Sequence, residues 1–328
     1  GKSVTSLAVL GLLPKNTIQE GTIFFDEKNL LTISNKEFQQ IRGNKIAMIF
    51  QEPMSSLNPT LTCGSQVAEV LKQHTDLNKK EIYQEVISLF QKVKLPLPDR
   101  IFNSYPHQIS GGQKQRVMIA IAIACKPDLL IADEPTTALD VTVQKEIILL
   151  LKELQKENKM SILLISHDLS LVSEIADDVI ILFKGQIVEK GNTTDIFHSP
   201  QHDYTKGLIN SKPNLNQRLK KLPTVEDFIK NRIFTDVYSK KEREAYHSKI
   251  YGLKPLLEIV DVKKYFNTSD GFTKKPLIKA VDKVSFKLYE GETLGLVGES
   301  GCGKTTLGRS IMQLEKVTFG KIFYKGKD

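Results

Sequence analysis

No stretch of this sequence is apolar for long enough to cross a bilayer. The longest unbroken apolar run, Val117 to Cys125, falls well short of the roughly 20 residues a spanning helix needs, so any membrane role is peripheral. Residues 1–13 lack a basic stretch followed by a continuous apolar core, so no signal peptide is visible. Cysteine is scarce: Cys63, Cys125 and Cys302 are widely spaced with no C-x-x-C pair, which argues against a disulfide framework and a zinc site and fits a reducing cytoplasm.

What is present is ordinary globular composition, 40% hydrophobic and 26% charged over 328 residues, a length that suggests two domains. The formal charge of +8 is concentrated in one place. Between Lys212 and Lys254 eleven basic residues face five acidic ones. Such an excess suits nucleic acid, anionic lipid or simply solvent, and the last is the reading for the charges themselves. The stretch from about 200 to 255 also carries Pro200, Pro213, Pro223 and Pro255 with few apolar runs, which marks an interdomain linker.

Short apolar runs rich in β-branched residues recur at Ile46 to Phe50, Leu129 to Ala132, Ile162 to Ile165, Val179 to Phe183 and Leu294 to Val297, and read as buried strands. Helical patterns lie between them at Val67 to His74, Lys79 to Lys92, Val117 to Ala124 and Val143 to Glu157. Strands alternating with helices predict an α/β sheet, and the helical interval 62–125 predicts a subdomain of its own. The two ends of the chain repeat each other. Gly1-Lys2-Ser3 echoes Gly303-Lys304-Thr305, and Gly21-Thr22-Ile23-Phe24-Phe25 echoes Gly320-Lys321-Ile322-Phe323-Tyr324, as an internal duplication would produce.

Gly298-Glu299-Ser300-Gly301-Cys302-Gly303-Lys304-Thr305 fits G-x-x-x-x-G-K-[ST] between an expected strand and an expected helix, followed by Thr306. In that pattern glycines turn backbone N–H groups onto phosphate oxygens, Lys304 reaches the β/γ-phosphates and Thr305 can ligate Mg²⁺. Cys302 reads as a small loop residue. By the repeat, Gly1, Lys2 and Ser3 close a first loop of the same kind. Leu129 to Pro135 is an apolar strand ending in Asp133 and Glu134, of which the first can hold Mg²⁺ and the second can polarise a water. Ser110-Gly111-Gly112-Gln113 opens a helix with a hydroxyl and free backbone donors, or simply with a serine cap.

The ordered set decides the reading: Gln51 after a strand, then Ser110 to Gln113, then Asp133-Glu134, then Ala138-Leu139-Asp140, then His167 after a strand. In this order the sequence resembles the ATP-binding-cassette (ABC) transporter ATPases. The resemblance implies an α/β P-loop core with an antiparallel β subdomain and a helical subdomain, in tandem, the second domain partial. It divides the chain into a first ATPase domain over 1–210, a basic linker over 211–255 and the start of a second domain over 256–328. It also assigns roles: Gln51 near Mg²⁺, Ser110 with Gly112 on the γ-phosphate across a domain interface, with Gly111 and Gln113 beside them, Asp133 on the metal with Ser3, and Thr305 on the metal of the second loop. Glu134 becomes the catalytic base, Asp140 the D-loop acid, His167 the switch histidine, and Tyr265 or Phe266 the aromatic that stacks on adenine.

Phe50 to Pro59, Tyr105-Pro106-His107-Gln108 and Ser199 to Leu208 look like the dipeptide and oligopeptide importer branch. The linker has no cysteine, so the iron–sulfur tail of some members of that branch is not expected. The implied partners are ATP, Mg²⁺, two membrane-spanning permeases and an extracytoplasmic substrate-binding protein. The implied place is the cytoplasmic face of a bacterial plasma membrane. The rival is a soluble tandem ATPase of the translation-factor type, whose charged linker binds ribosomal RNA; the importer-like segment after Gln51 speaks against it, and no direct nucleic-acid contact is expected. From the repeat, about 40 residues are expected ahead of Gly1 and about 200 beyond Asp328. Each nucleotide pocket within this chain is then incomplete, and weak or absent ATP turnover by the chain alone is expected.

Overall fold

The computed structural model describes the chain apart from residues 52–55, 138, 212–217, 231, 233–235, 267–276 and 300. Ala138, Ser300 and the Glu52 to Ser55 stretch of the importer-like segment therefore lie outside the described residues. The chain forms two compact units, Gly1–Lys212 with Pro223–Arg232, and Pro213–Leu222 with Ile233–Asp328.

The first unit opens with α1 (Lys2–Val9), a short antiparallel pair β1 (Phe24–Phe25) and β2 (Lys28–Asn29), and α2 (Asn35–Ile41). Ser34 and Glu37 cap α2 reciprocally. The strand β3 (Ile46–Ile49) then leads into four helices: α3 (Cys63–His74), α4 (Lys79–Lys92), α5 (Pro98–Asn103) and α6 (Gly111–Ile123). This is the helical subdomain expected over 62–125. Thr62, Asn78 and Ser110 each accept a backbone N–H at a helix start, which fixes where α3, α4 and α6 begin. From Val117 to Ile123 α6 is buried nearly all round, because it packs between the other helices and β3.

The core sheet continues with β4 (Leu129–Asp133), α7 (Val141–Asn158) and β5 (Ser161–Ile165). Its order is β3-β4-β5 and all pairs are parallel, Ile46 opposite Leu129 and Leu129 opposite Ser161. Parallel neighbours need long crossovers, which the helical subdomain and α7 provide. The register brings the C-terminal ends of all three strands to one edge, where Gln51, Glu134 and His167 follow. Beyond α8 (Leu169–Ile175) lie an antiparallel hairpin, β6 (Asp178–Phe183) and β7 (Gln186–Asn192), then α9 (Thr193–His198), α10 (Asp203–Asn210) and α11 (Val225–Ile229).

Where α10 meets α11, Gly207 is buried, and a Cβ there would stand 3.0 Å from Phe228 Cβ and 3.2 Å from the Val225 Cα. Alanine would improve helix propensity, but a backbone atom cannot swing aside as a flexible side-chain tip does. Gly207→Ala is expected to lower stability by about 1–2 kcal/mol net. A urea titration would show it, and an unchanged midpoint would remove the close packing argued here.

The second unit contains α12 (Lys240–Tyr251), the long strands β8 (Leu257–Phe266) and β9 (Ile278–Leu288), α13 (Lys304–Ile311) and β10 (Phe319–Tyr324). Its sheet has the order β10-β8-β9, antiparallel throughout, and Ile259, Val262, Val281, Leu307 and Ile322 form its core. Among the described residues, segment 211–255, expected as a linker, holds the helices α11 and α12. The repeat is visible in the fold as well. Both G-K-[ST] triplets lead directly into eight-residue helices, α1 and α13.

One expected strand does not form. Leu294 to Val297 is not assigned to any sheet, and Leu294, Leu296 and Val297 are 48%, 53% and 93% exposed. A strand that apolar is built to lie inside a parallel sheet. Among the described residues the second unit has no parallel strand to satisfy its backbone N–H and C=O groups.

Candidate functional site

In the first unit the site grows from the end of β4. Asp133 is 2% exposed and its Oδ1 has no hydrogen-bond partner among the described residues. The next residue, Glu134, turns into the left-handed region at φ 49°, with its N–H bonded to Ile165 O on β5 at 2.8 Å. That turn points its carboxylate across the ends of the neighbouring strands. Three side chains then meet one oxygen. Gln51 Nε2 donates to Glu134 Oε2 at 3.1 Å, Thr137 Oγ1 donates to it at 3.1 Å, and His167 Nδ1 lies 3.1 Å from it.

Burial pushes the Glu134 carboxyl up, but hydrogen bonds from His167 and Thr137 and the charges of His167 and Lys2 outweigh it, so it lies below its ordinary value. The carboxylate is therefore held ionised, as a group that accepts a proton must be. Lys2, in the first turn of α1, reaches Ser166 O at 3.4 Å beside this cluster. Gly1 precedes α1 and Ser3 sits in its first turn. Glu134, Thr136, Thr137, Gln144, Ser166, His167 and Asp168 line a cleft of about 120 Å³.

Ser110 to Gln113 open α6. Ser110 is the N-cap of α6, its Oγ accepting Gln113 N–H while Gln113 Oε1 accepts Ser110 N–H. The capping reading therefore holds, and Ser110 and Gly111 are exposed at the helix start. Gly111 is exposed, and a Cβ on Gly112 would come within 3.1 Å of Val143 Cγ1 on α7. Asp140 caps α7 by accepting Val143 N–H at 3.0 Å.

In the second unit the glycine-rich loop closes on its own lysine. Lys304 Nζ donates to Gly298 O at 2.7 Å and to Glu299 O at 2.6 Å, and lies 3.5 Å from Cys302 Sγ. Gly301 and Gly303 take φ of 81° and 100°, and α13 starts at Lys304 with Thr305 and Thr306 in its first turn. The loop follows a segment assigned to no strand rather than the expected strand. Tyr265 and Phe266 end β8; the Tyr265 hydroxyl donates to Asp282, and Lys264 Nζ stands 4.8 Å from the Phe266 ring centre. Neither ring is singled out as an adenine platform.

The donors fit Mg²⁺. In the first unit a buried carboxylate oxygen without a partner among the described residues, Asp133 Oδ1, and the Ser3 hydroxyl next to Lys2 suit a hard cation that takes its other ligands from phosphate and water; in the second unit Thr305 next to Lys304 is the corresponding hydroxyl. Two participants were not legible in the sequence. Thr137 and Gln144 enter the cleft because the segment after Glu134 folds back over the start of α7. A hydroxyl three residues beyond an acid at a strand end was the available signal.

A glycine-rich loop opening a helix, an acid pair at a parallel strand end, and a glutamine and histidine from the flanking strands together define a P-loop ATPase cassette. Comparison with known proteins agrees. The ABC transporter family matches residues 1–137 and 281–328, and the family described as oligopeptide/dipeptide transporter, C-terminal region, matches 188–231. The glutathione import ATP-binding protein GsiA of Shigella boydii is 41% identical over 340 residues, covering 100% of this chain and 54% of that protein. Its counterpart from Escherichia coli K12 is 40% identical with the same coverage. Among solved structures, the ATP-binding cassette MJ0796 bound to ADP and Pi aligns with a TM-score of 0.53 at 29% identity, over 59% of this chain and 81% of that one. CbiO1 from Clostridium perfringens, part of the ABC transporter complex cbiONQ, aligns with a TM-score of 0.52 at 29% identity, over 61% and 75%. The chain belongs to the ABC transporter ATP-binding protein family, and it spans about half the length of the curated relatives it matches.

Proposed function

We propose that this chain is part of an ATP-hydrolysing subunit that powers uptake of peptides, or of small peptide-like molecules such as glutathione, by a bacterial ABC importer. The observation that carries the reading is the meeting of Gln51, Thr137 and His167 on Glu134 Oε2, one residue from the buried Asp133. Glu134 accepts the proton of the attacking water, and the groups on Oε2 hold that carboxylate in place. Lys304 and Lys2 hold phosphates at their respective loops, and Ser110 with Gly112 offers contacts to a γ-phosphate. In the first unit Asp133 and Ser3, with Gln51 nearby, would hold Mg²⁺, and Thr305 would do so at the second loop; the ion would neutralise phosphate charge. The substrate class rests on the oligopeptide/dipeptide match over 188–231 and on the name of the relatives.

The organisation proposed is a first ATPase domain over 1–210, a linker over 211–255 and the N-terminal part of a second domain over 256–328. Two permeases and an extracytoplasmic binding protein complete the importer, with the ATPase on the cytoplasmic side of the membrane. No helix among the described residues is long and apolar enough to span it. Deleting the full-length gene is expected to abolish ATP-dependent uptake of labelled glutathione or of at least one di- or tripeptide. Unchanged uptake across that panel, together with co-sedimentation of the protein with ribosomes through 212–254, would replace this reading with the translation-factor one.

A further inference from the structure

Gln144 lies in the first turn of α7, just after the Asp140 cap, and helical side chains lean toward the N-terminus of their helix. That lean carries its amide back over the segment that follows Glu134. Nε2 donates to Thr136 O at 3.2 Å and to Leu139 O at 3.2 Å, so the two hydrogens of one –NH₂ group are matched to carbonyls on either side of Thr137. Thr137 is the residue whose hydroxyl holds Glu134 Oε2, and its N–H also bonds to Glu134 O at 3.1 Å. Thr136 is buried and Gln144 lines the same cleft as Glu134 and His167.

We infer that Gln144 is a positioning residue for hydrolysis: its amide clamps the backbone at Thr136 and Leu139, so that the Thr137 hydroxyl holds the Glu134 carboxylate and Asp140 leaves the site in a set direction. The inference rests on the reading of Glu134 as the base. The clamp requires donors, which is why glutamine and not its isostere glutamate serves. A carboxylate at 144 would set negative charge against two carbonyl oxygens, and alanine would leave both without this partner.

The test compares Gln144→Glu, Gln144→Ala and Gln144→Arg in the full-length protein. A displacement of about 1 Å at a catalytic group can cost up to about a hundredfold, so Gln144→Glu and Gln144→Ala are expected to lower kcat by about 10- to 100-fold. The KM for ATP should stay within about twofold, since no nucleotide-binding group is touched. Gln144→Arg, which also offers paired donors, should recover part of the loss. Amide hydrogen exchange in the peptide 136–140 should accelerate in the glutamate and alanine variants while β3 exchanges as in the wild type. Wild-type kcat in Gln144→Glu, or loss that accompanies faster exchange throughout the first unit, overturns the clamp. If Glu134→Gln keeps full turnover, the base assignment fails instead, and hydrogen exchange still reads the clamp itself.

Discussion

Glu134→Gln is expected to lower ATP turnover at its pocket by about 10²- to 10⁴-fold in the full-length protein while leaving ATP binding intact. The amide is nearly isosteric with the carboxylate and keeps a carbonyl oxygen that can accept from Gln51 and Thr137. The local fold therefore has no reason to change. What it cannot do is take a proton. In the native site burial opposes ionisation of Glu134, yet the hydrogen bonds and positive charges around it prevail. Removing the ionisable group removes the acceptor without removing the binding groups, which lie on the P-loop lysines and the helix starts behind them. The measurement is single-turnover hydrolysis alongside binding of a fluorescent ATP analogue. Turnover near that of the wild type would strip Glu134 of its role, and loss of binding in parallel would mean the substitution had disturbed the pocket as a whole.

Gly303→Ala is expected to abolish nucleotide binding at the second glycine-rich loop. A Cβ at 303 would lie 2.0 Å from Ala280 O on β9, and the residue sits at φ 100°, where side chains are strained. The strain alone costs about 1–3 kcal/mol. The overlap with a carbonyl of a paired strand cannot be relieved by a rotamer change, so the backbone must move. Movement there displaces Lys304, the first residue of α13, from Gly298 O and Glu299 O, and turns the loop N–H groups away from the phosphate path. Gly301→Ala is the control. It shares a positive φ of 81°, but its Cβ would meet nothing within 4 Å, so it should bear the strain alone and bind more weakly rather than not at all. Equal affinities for the two variants, measured by calorimetric titration of an ATP analogue, would refute the steric argument.

The elements of the first unit were legible because their signals are local. The apolar runs at Ile46, Leu129, Ile162 and Val179 form strands close to the expected limits, and Lys79–Lys92 is a helix over the whole expected range. The start of α6 was legible from its cap rather than its periodicity: the apolar pattern begins at Val117, but Ser110 to Gln113 was read as opening the helix, and α6 begins at Gly111 with Ser110 as its N-cap. The extended reading of Leu294 to Val297 as a strand failed. A strand is a property of its neighbours, and periodicity says nothing about whether they are there.

By itself the sequence determined the family, through the order of Gln51, Ser110 to Gln113, Asp133-Glu134, Asp140 and His167, and through the loop at Gly298 to Thr305. It also determined the α/β character and the helical interval at 62–125. Tertiary structure alone decided which of these residues meet. Gln51 and His167 are 83 residues before and 33 residues after Glu134, and they touch it because β3, β4 and β5 run parallel in register and end together. Thr137 and Gln144 join them because the chain after Glu134 turns back on the start of α7. Short-range chemistry is written in neighbouring residues, whereas convergence depends on strand register and on space-filling contacts that no local pattern encodes.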